Sequence, residues 1–341
     1  MLAVVKTKPD VGIELREVPK PAIARDHEIL VRVKACGICG SDLHYYDWEE
    51  GSRILPLPRV LGHELSGIVE EVGPGVKGIE PGDHVVCDTW TGCGECRYCR
   101  LGRFNFCACR TRIGIEIDGG MAELVKMPYT CAYKISRDCD LEEASLLEPF
   151  GVALHALERS GIVPGDKVMV AGPGPIGLMS GYLLKKSLVE DVVITGLPSD
   201  GKRLALAESL GLIPHALRGE TDEIKRLKEM SGGLGFDCVF ETTGTVAGIR
   251  LAEQLLIPGG KLVLIGIGDG KTNNNTVVRN ELTVIGSYRR QPSTWFRAIS
   301  MLEKGHIDLK PFITHRLPLS RAEEGFGLLK RREAVKVLLI P

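Results

Sequence analysis

DKVMVAGPGPIGLMSGYLLKK, residues 166–186, sets an apolar strand, a glycine turn and an amphipathic helix end to end. Gly172, Gly174 and Gly177 form a G-x-G-x-x-G turn after the strand at 167–171. Glycines there allow a tight turn and close backbone approach to a pyrophosphate held at the helix N-terminus. Pro175 and Ile176 open the helix, and a proline in the first turn gives up no hydrogen bond. Alone the motif is weak evidence, but the same rhythm repeats behind it. VVITG (192–196) precedes KRLALAESLG (202–211), FDCVFETTG (236–244) precedes VAGIRLAEQLL (246–256), and GGKLVLIGIG (259–268) precedes LTVIGSY (282–288). Apolar strands alternating with helices imply an α/β fold with a doubly wound, Rossmann-type parallel sheet over residues 153–288.

Outward from this region the texture changes. Residues 1–152 hold short Val/Ile stretches broken by glycine and proline, such as ILVRVKACG (29–37), SGIVEEVGPGV (66–76) and GDHVVC (82–87). They read as a β-rich domain. Residues 289–341 read as helix, loop, helix and a last strand, AVKVLLIP, and are expected to return to the first domain. A length of 341 residues fits such a multidomain plan better than one core.

Charge and composition exclude several classes. Forty-three basic residues against 44 acidic ones give a net charge of −1, without the basic excess of a protein that grips nucleic acid. Hydrophobic residues make up 44% and charged ones 26%, as in globular proteins, and no apolar run is long enough to span a bilayer. The start, MLAVVKTKPDVG, lacks the apolar core of a secretory signal, and eleven cysteines are an odd number. Together these imply a reducing cytoplasm with thiols on metal rather than a disulfide framework.

Two clusters of ligand-type residues stand out. Cys93, Cys96, Cys99 and Cys107 form a C-x2-C-x2-C-x7-C run, the spacing of a zinc knot. Cys39 in CGICGSDLHYY, His63 and Glu64 in LGHE and Glu148 in LLEPFG supply a second set. Three protein ligands with an open position make a catalytic zinc site. His63 and Glu64 share one ion only if the chain bends between them, because neighbours on an extended segment point apart. Glu64 is therefore expected to exchange with water or with Glu148.

With G-I-C-G-S-D (37–42), G-H-E (62–64), the four spaced cysteines and G-P-G-P-I-G (172–177), the sequence resembles the zinc-dependent medium-chain alcohol dehydrogenases over essentially its whole length. The resemblance implies a GroES-like catalytic domain with a structural zinc lobe at Cys93–Cys107, a catalytic zinc, and NAD or NADP. The polyol (sorbitol) and threonine dehydrogenases look most similar. It further implies a proton relay through Ser41 and His44, Asp42 orienting His63, Tyr45 and Arg289 at the substrate, and Gly266, Ile267 and Tyr288 beside the cofactor. Zinc would lower the pKa of a substrate hydroxyl and hydride would pass to the nicotinamide. A polyol or sugar alcohol is the expected substrate, with L-threonine, 2,3-butanediol and an aldose as rivals, and a homodimer or homotetramer the expected assembly. A crystallin-like binding protein or a zinc-free reductase on the same fold would lack these ligands.

The acidic residue expected about 20 positions beyond the glycine turn is missing, since the second strand ends at Gly196. Either Asp200 reaches the ribose, favouring NAD, or Ser199, Lys202 and Arg203 accept a 2′-phosphate, favouring NADP. The lost carboxylate tips the expectation slightly to NADP. On the same logic an Asp at position 196 is expected to turn preference towards NAD.

Overall fold

The computed structural model describes residues 1–187 and 189–341. The chain divides into two compact units, Met1–Pro149 with Gln291–Pro341, and Phe150–Arg290.

In the first unit a long strand, Glu28–Gly37, is the hub. Its residues alternate between core and solvent in the middle and are buried at Ala35–Gly37, where the strand reaches the ligand cluster. It pairs antiparallel with Glu64–Val72, with Leu124–Pro128 and with the last strand, Lys336–Ile340. His84–Cys87 and Ala132–Ile135 extend the sheet on one side, and Ile313–Pro318 on the other. Val31, Leu65, Val85, Met121 and Phe326 belong to one buried core.

Ile313–Pro318 lies in the stretch expected to be a loop. It runs parallel to Lys336–Ile340, with the helix Ala322–Lys330 between them in sequence. Its sequence, ITHRLP, buries only Ile313 and Leu317, so no sustained alternation marks it.

The second unit is the doubly wound parallel sheet that the strand–turn–helix rhythm implies. Its order is Ile213–Ala216, Val192–Gly196, Val168–Ala171, Phe236–Glu241, Leu256–Leu264, Thr283–Gly286, and every neighbouring pair is parallel. Val168–Ala171 and Val192–Gly196 are buried throughout, the pattern of strands covered on both faces. The sequence reading missed Ile213–Ala216. Pro214 argues against a central strand, and the segment indeed sits at the sheet edge, where a proline is tolerated. Among the described residues no helix is long and apolar enough to cross a membrane.

The glycine turn is held by contact rather than by flexibility alone. Gly172 has φ +102°, and a Cβ on Gly177 would stand 1.9 Å from the Gly172 carbonyl oxygen, whereas one on Gly174 would meet nothing within 4 Å. Gly174 caps the helix Pro175–Lys186, with Pro175 in its first turn. Gly177→Ala is therefore expected to destabilise the cofactor-free protein by about 1–3 kcal/mol, the usual cost of overpacking. Gly174→Ala should leave it close to wild type, and urea denaturation without cofactor compares the two.

Candidate metal centres and cofactor turn

The four cysteines converge. Their sulfurs lie within 4.8 Å of one another, with Cys96 and Cys99 at 3.5 Å and Cys93 and Cys99 at 4.0 Å. A tetrahedral zinc with Zn–S bonds of ~2.3 Å spaces its sulfurs by ~3.8 Å, so the cluster fits the ion. Its sulfurs are too far apart for disulfides. Backbone N–H groups of Cys93, Cys96 and Cys99 donate to the sulfurs of Cys107, Cys93 and Cys96. N–H donors from Cys96 and Glu95 lower the Cys93 thiol to about 7, favouring the thiolate that binds metal. Gly92 makes room, since a Cβ there would stand 2.5 Å from Cys99 Sγ.

The second cluster forms where strand ends of the first unit meet. Gly37 is paired with Glu64 on one side and Leu338 on the other. Cys39 follows Gly37 by two residues and caps the helix Gly40–Asp47, while His63 precedes Glu64. Ligand atoms of Cys39, His63 and Glu64 lie within 4.8 Å of one another. Gly62, just before His63, has φ +95°, and a Cβ there would strike Met121 Cγ at 2.6 Å and Cys36 Sγ at 2.7 Å.

Asp42 joins two members of this cluster. Its Oδ2 accepts the Cys39 N–H at 2.9 Å, and its Oδ1 lies 3.7 Å from His63 Nδ1. That second distance is a charge contact rather than the hydrogen bond anticipated from the sequence. Burial disfavours a charged His63, but the negative charge of Asp42 and Cys39 outweighs it and raises the imidazole to about 10. A site whose anions hold a proton on a buried imidazole carries the negative charge that a cation would take up. The donor set of thiolate, imidazole and carboxylate fits zinc.

Sequence reasoning missed Lys336. Its Nζ, buried with the glutamate, lies 2.5 Å from both carboxylate oxygens of Glu64 and donates to the Ile38 carbonyl at 3.3 Å. Glu64 is thus already partnered. Glu148, in the first turn of the helix Leu147–Ser160, is buried, accepts from the Thr89 hydroxyl, and acts electrostatically on both His63 and Lys336. No sequence signal links position 336 to position 64, although a lysine in the apolar run AVKVLLIP is itself an anomaly.

The other expected residues are placed as follows. Ser41 is half-buried on the helix Gly40–Asp47, and His44, one turn on, is exposed with Nδ1 2.6 Å from Glu49 Oε2. Tyr45 is buried within the core of the first unit. In the second unit a Cβ on Gly266 would come 2.1 Å from Gly244 N, Ile267 is 83% exposed, and the Arg289 guanidinium lies 5.5 Å from the centre of the Tyr288 ring.

Around the second strand, the structure separates the residues proposed for the ribose. Asp200 is buried, its Oδ2 accepting the Leu197 N–H at 2.9 Å and its Oδ1 lying 3.8 Å from Arg203 Nη1. Ser199 and Lys202 are exposed. The expectation for Gly196→Asp needs correction. A Cβ at Gly196 would stand 2.7 Å from Pro173 Cγ, so the substitution would disturb the glycine turn before it met a ribose.

Comparison with known proteins agrees with this geometry. Residues 25–137 match the alcohol dehydrogenase GroES-like domain, and residues 175–304 match the zinc-binding dehydrogenase family. An L-threonine 3-dehydrogenase of Bacillus velezensis is 35% identical over 100% of this chain and 99% of its own length. A sorbitol dehydrogenase of Halalkalibacterium halodurans is also 35% identical, over the same shares. Among solved structures, the alcohol dehydrogenase TADH from Thermus sp. ATN1 superposes with a TM-score of 0.91 at 31% identity, covering 100% of this chain and 99% of that one. With two zinc-compatible ligand clusters and a dinucleotide turn already in place, the chain belongs to the zinc-dependent medium-chain alcohol dehydrogenases and is an NAD(P)-dependent oxidoreductase.

Proposed function

We propose that the protein oxidises a secondary alcohol of a polyol or sugar alcohol, passing hydride to NAD(P), with the reverse reduction under product excess. The observation that carries this reading is the Cys39–His63–Glu64 cluster in a chain that also bears the Gly172–Gly177 turn. L-Threonine is the second reading, favoured by the 35% identical threonine dehydrogenase. Both substrates present a secondary hydroxyl beside a polar neighbour.

Zinc supplies a Lewis acid for the substrate hydroxyl, and the nicotinamide supplies the hydride acceptor. Cys39 and His63 would hold the ion with a carboxylate drawn from Glu64 and Glu148, Lys336 competing for Glu64. Asp42 fixes the Cys39 end of the cluster and sets negative charge beside His63. Ser41 takes the hydroxyl proton, and His44, exposed on the same helix and paired with Glu49, passes it to solvent. The family resemblance assigns Tyr45, packed in the core of the first unit, and Arg289 to the substrate. Gly174, Ile176 and Gly177 offer backbone N–H groups to the pyrophosphate. Gly172, whose own N–H donates to the Thr195 carbonyl, makes the turn that lets it approach, and Pro175, which has no N–H, opens the helix. Gly196 leaves the strand end without a carboxylate, and Gly266, Ile267 and Tyr288 flank the nicotinamide half. Ser199 and Lys202 meet a 2′-phosphate, with Arg203 contributing less because Asp200 compensates it. A cytoplasmic location suits the eleven unpaired thiols, and assembly as a homodimer or homotetramer follows the family habit.

Metal analysis, four variants and a substrate panel test this reading. Metal analysis should return about two zinc ions per chain, one fitting each cluster. Cys39→Ala should lose turnover and one ion while still binding cofactor, and full activity in that variant would end the mechanism. Cys96→Ser should instead lower the melting temperature and lose the other ion, as expected of a lobe that metal helps to fold. Lys202→Ala should weaken NADP by roughly tenfold to a hundredfold, the worth of a charge-assisted contact, and leave NAD nearly unchanged. Asp200→Ala should reduce stability rather than switch cofactor. A panel of polyols, sugars, diols and threonine with each cofactor then identifies the substrate.

A further inference from the structure

The second unit contains a cavity of about 870 Å³ that shares no residue with the glycine turn or the Ser199–Arg203 segment. Lys228, Arg250 and Lys271 line it, together with Gln254, Thr272 and Asn273. Among the described residues no ion pair or hydrogen bond engages the side chains of those three cations. The carboxylate in the lining, Glu253, is buried and its Oε1 accepts the Asn273 N–H at 2.7 Å. Three cations therefore face one acid that is already hydrogen-bonded. Arg250 and Gln254 are four residues apart on the helix Val246–Leu255, so they present one donor-rich face. The volume is in the range of small-ligand pockets. A concave site with excess positive charge, on a protein whose net charge is −1, suits a small polyanion rather than a nucleic acid.

The same cavity adjoins a loop that the proposed function uses. Lys271 and Asn273 follow Gly270, whose N–H donates to the Gly244 carbonyl at 3.0 Å, and Gly244 is the residue packed against Gly266 and Ile267. Residues 266–273 thus run from the proposed nicotinamide contacts to the cavity wall, with hydrogen bonds at Gly270 and Asn273.

We propose that this cavity is a regulatory site for a phosphate-bearing small molecule, bound by Arg250, Lys271 and Lys228, which restrains the 266–273 loop and so alters cofactor affinity. The coupling rests on the reading of Gly266 and Ile267 as cofactor contacts; the anion site does not.

The test uses inorganic pyrophosphate as probe and calorimetry on the full-length protein saturated with NADH or NADPH, so that the glycine turn is occupied. One saturable site per chain is expected, weakened about tenfold in Arg250→Gln and at least as much in Lys271→Gln, as for loss of one charged hydrogen bond each. Lys202→Ala should leave this binding unchanged. In steady-state assays pyrophosphate should shift the KM for cofactor in wild type and not in the Arg250→Gln/Lys271→Gln double variant. Absence of binding in wild type, or equal binding in the double variant, overturns the site. Binding that leaves the cofactor KM untouched overturns the regulatory role while the assigned oxidoreductase activity stands.

Discussion

A buried lysine and a buried glutamate, far apart in sequence, organise the first unit. Lys336 opens the last strand and Glu64 opens the strand that follows His63. Both side chains are at most 2% exposed, with Nζ 2.5 Å from each carboxylate oxygen. Removing either partner would leave a buried charge uncompensated, at a cost of about 3–5 kcal/mol. Because Gly37 pairs with both strands, the ion pair forms beside the hub of the sheet, and a Cβ at Gly37 would come 2.4 Å from Glu64 Oε2. Cys39 and His63, next to these anchored positions, inherit their placement.

The two metal clusters solve different problems. In the cysteine lobe the ligands are chemically alike, backbone N–H groups turn towards the sulfurs, and a glycine admits the closest one. Such a site gains fold stability from the ion. The Cys39 cluster mixes ligand types, keeps a competing cation on one carboxylate, and holds a second buried carboxylate on Thr89.

In the dinucleotide unit, little space is left at the end of the second strand. Pro173, in the glycine turn, occupies the room that a carboxylate at Gly196 would need, and Asp200 is committed to capping the turn at Leu197. Neither position presents an anion towards a ribose. Ser199 and Lys202 are among the exposed residues that follow the strand end.

Local patterns in the chain determined the fold class, the zinc knot and the glycine turn, because each is written within about 20 residues by period, spacing and turn chemistry. The edge strands Ile213–Ala216 and Ile313–Pro318 escaped that reading because edge positions need little apolar alternation. Tyr45 packs in the core of the first unit and Asp200 accepts the Leu197 N–H, placements that no local pattern marks. Lys336 stands out locally only as a lysine in an apolar run, and nothing near it names its partner. What it binds depends on a contact spanning 272 residues of sequence, and a buried charge can only be matched once distant strands have come together. Composition and spacing therefore determined which chemistry the chain contains, while tertiary packing alone decided which partner each carboxylate holds.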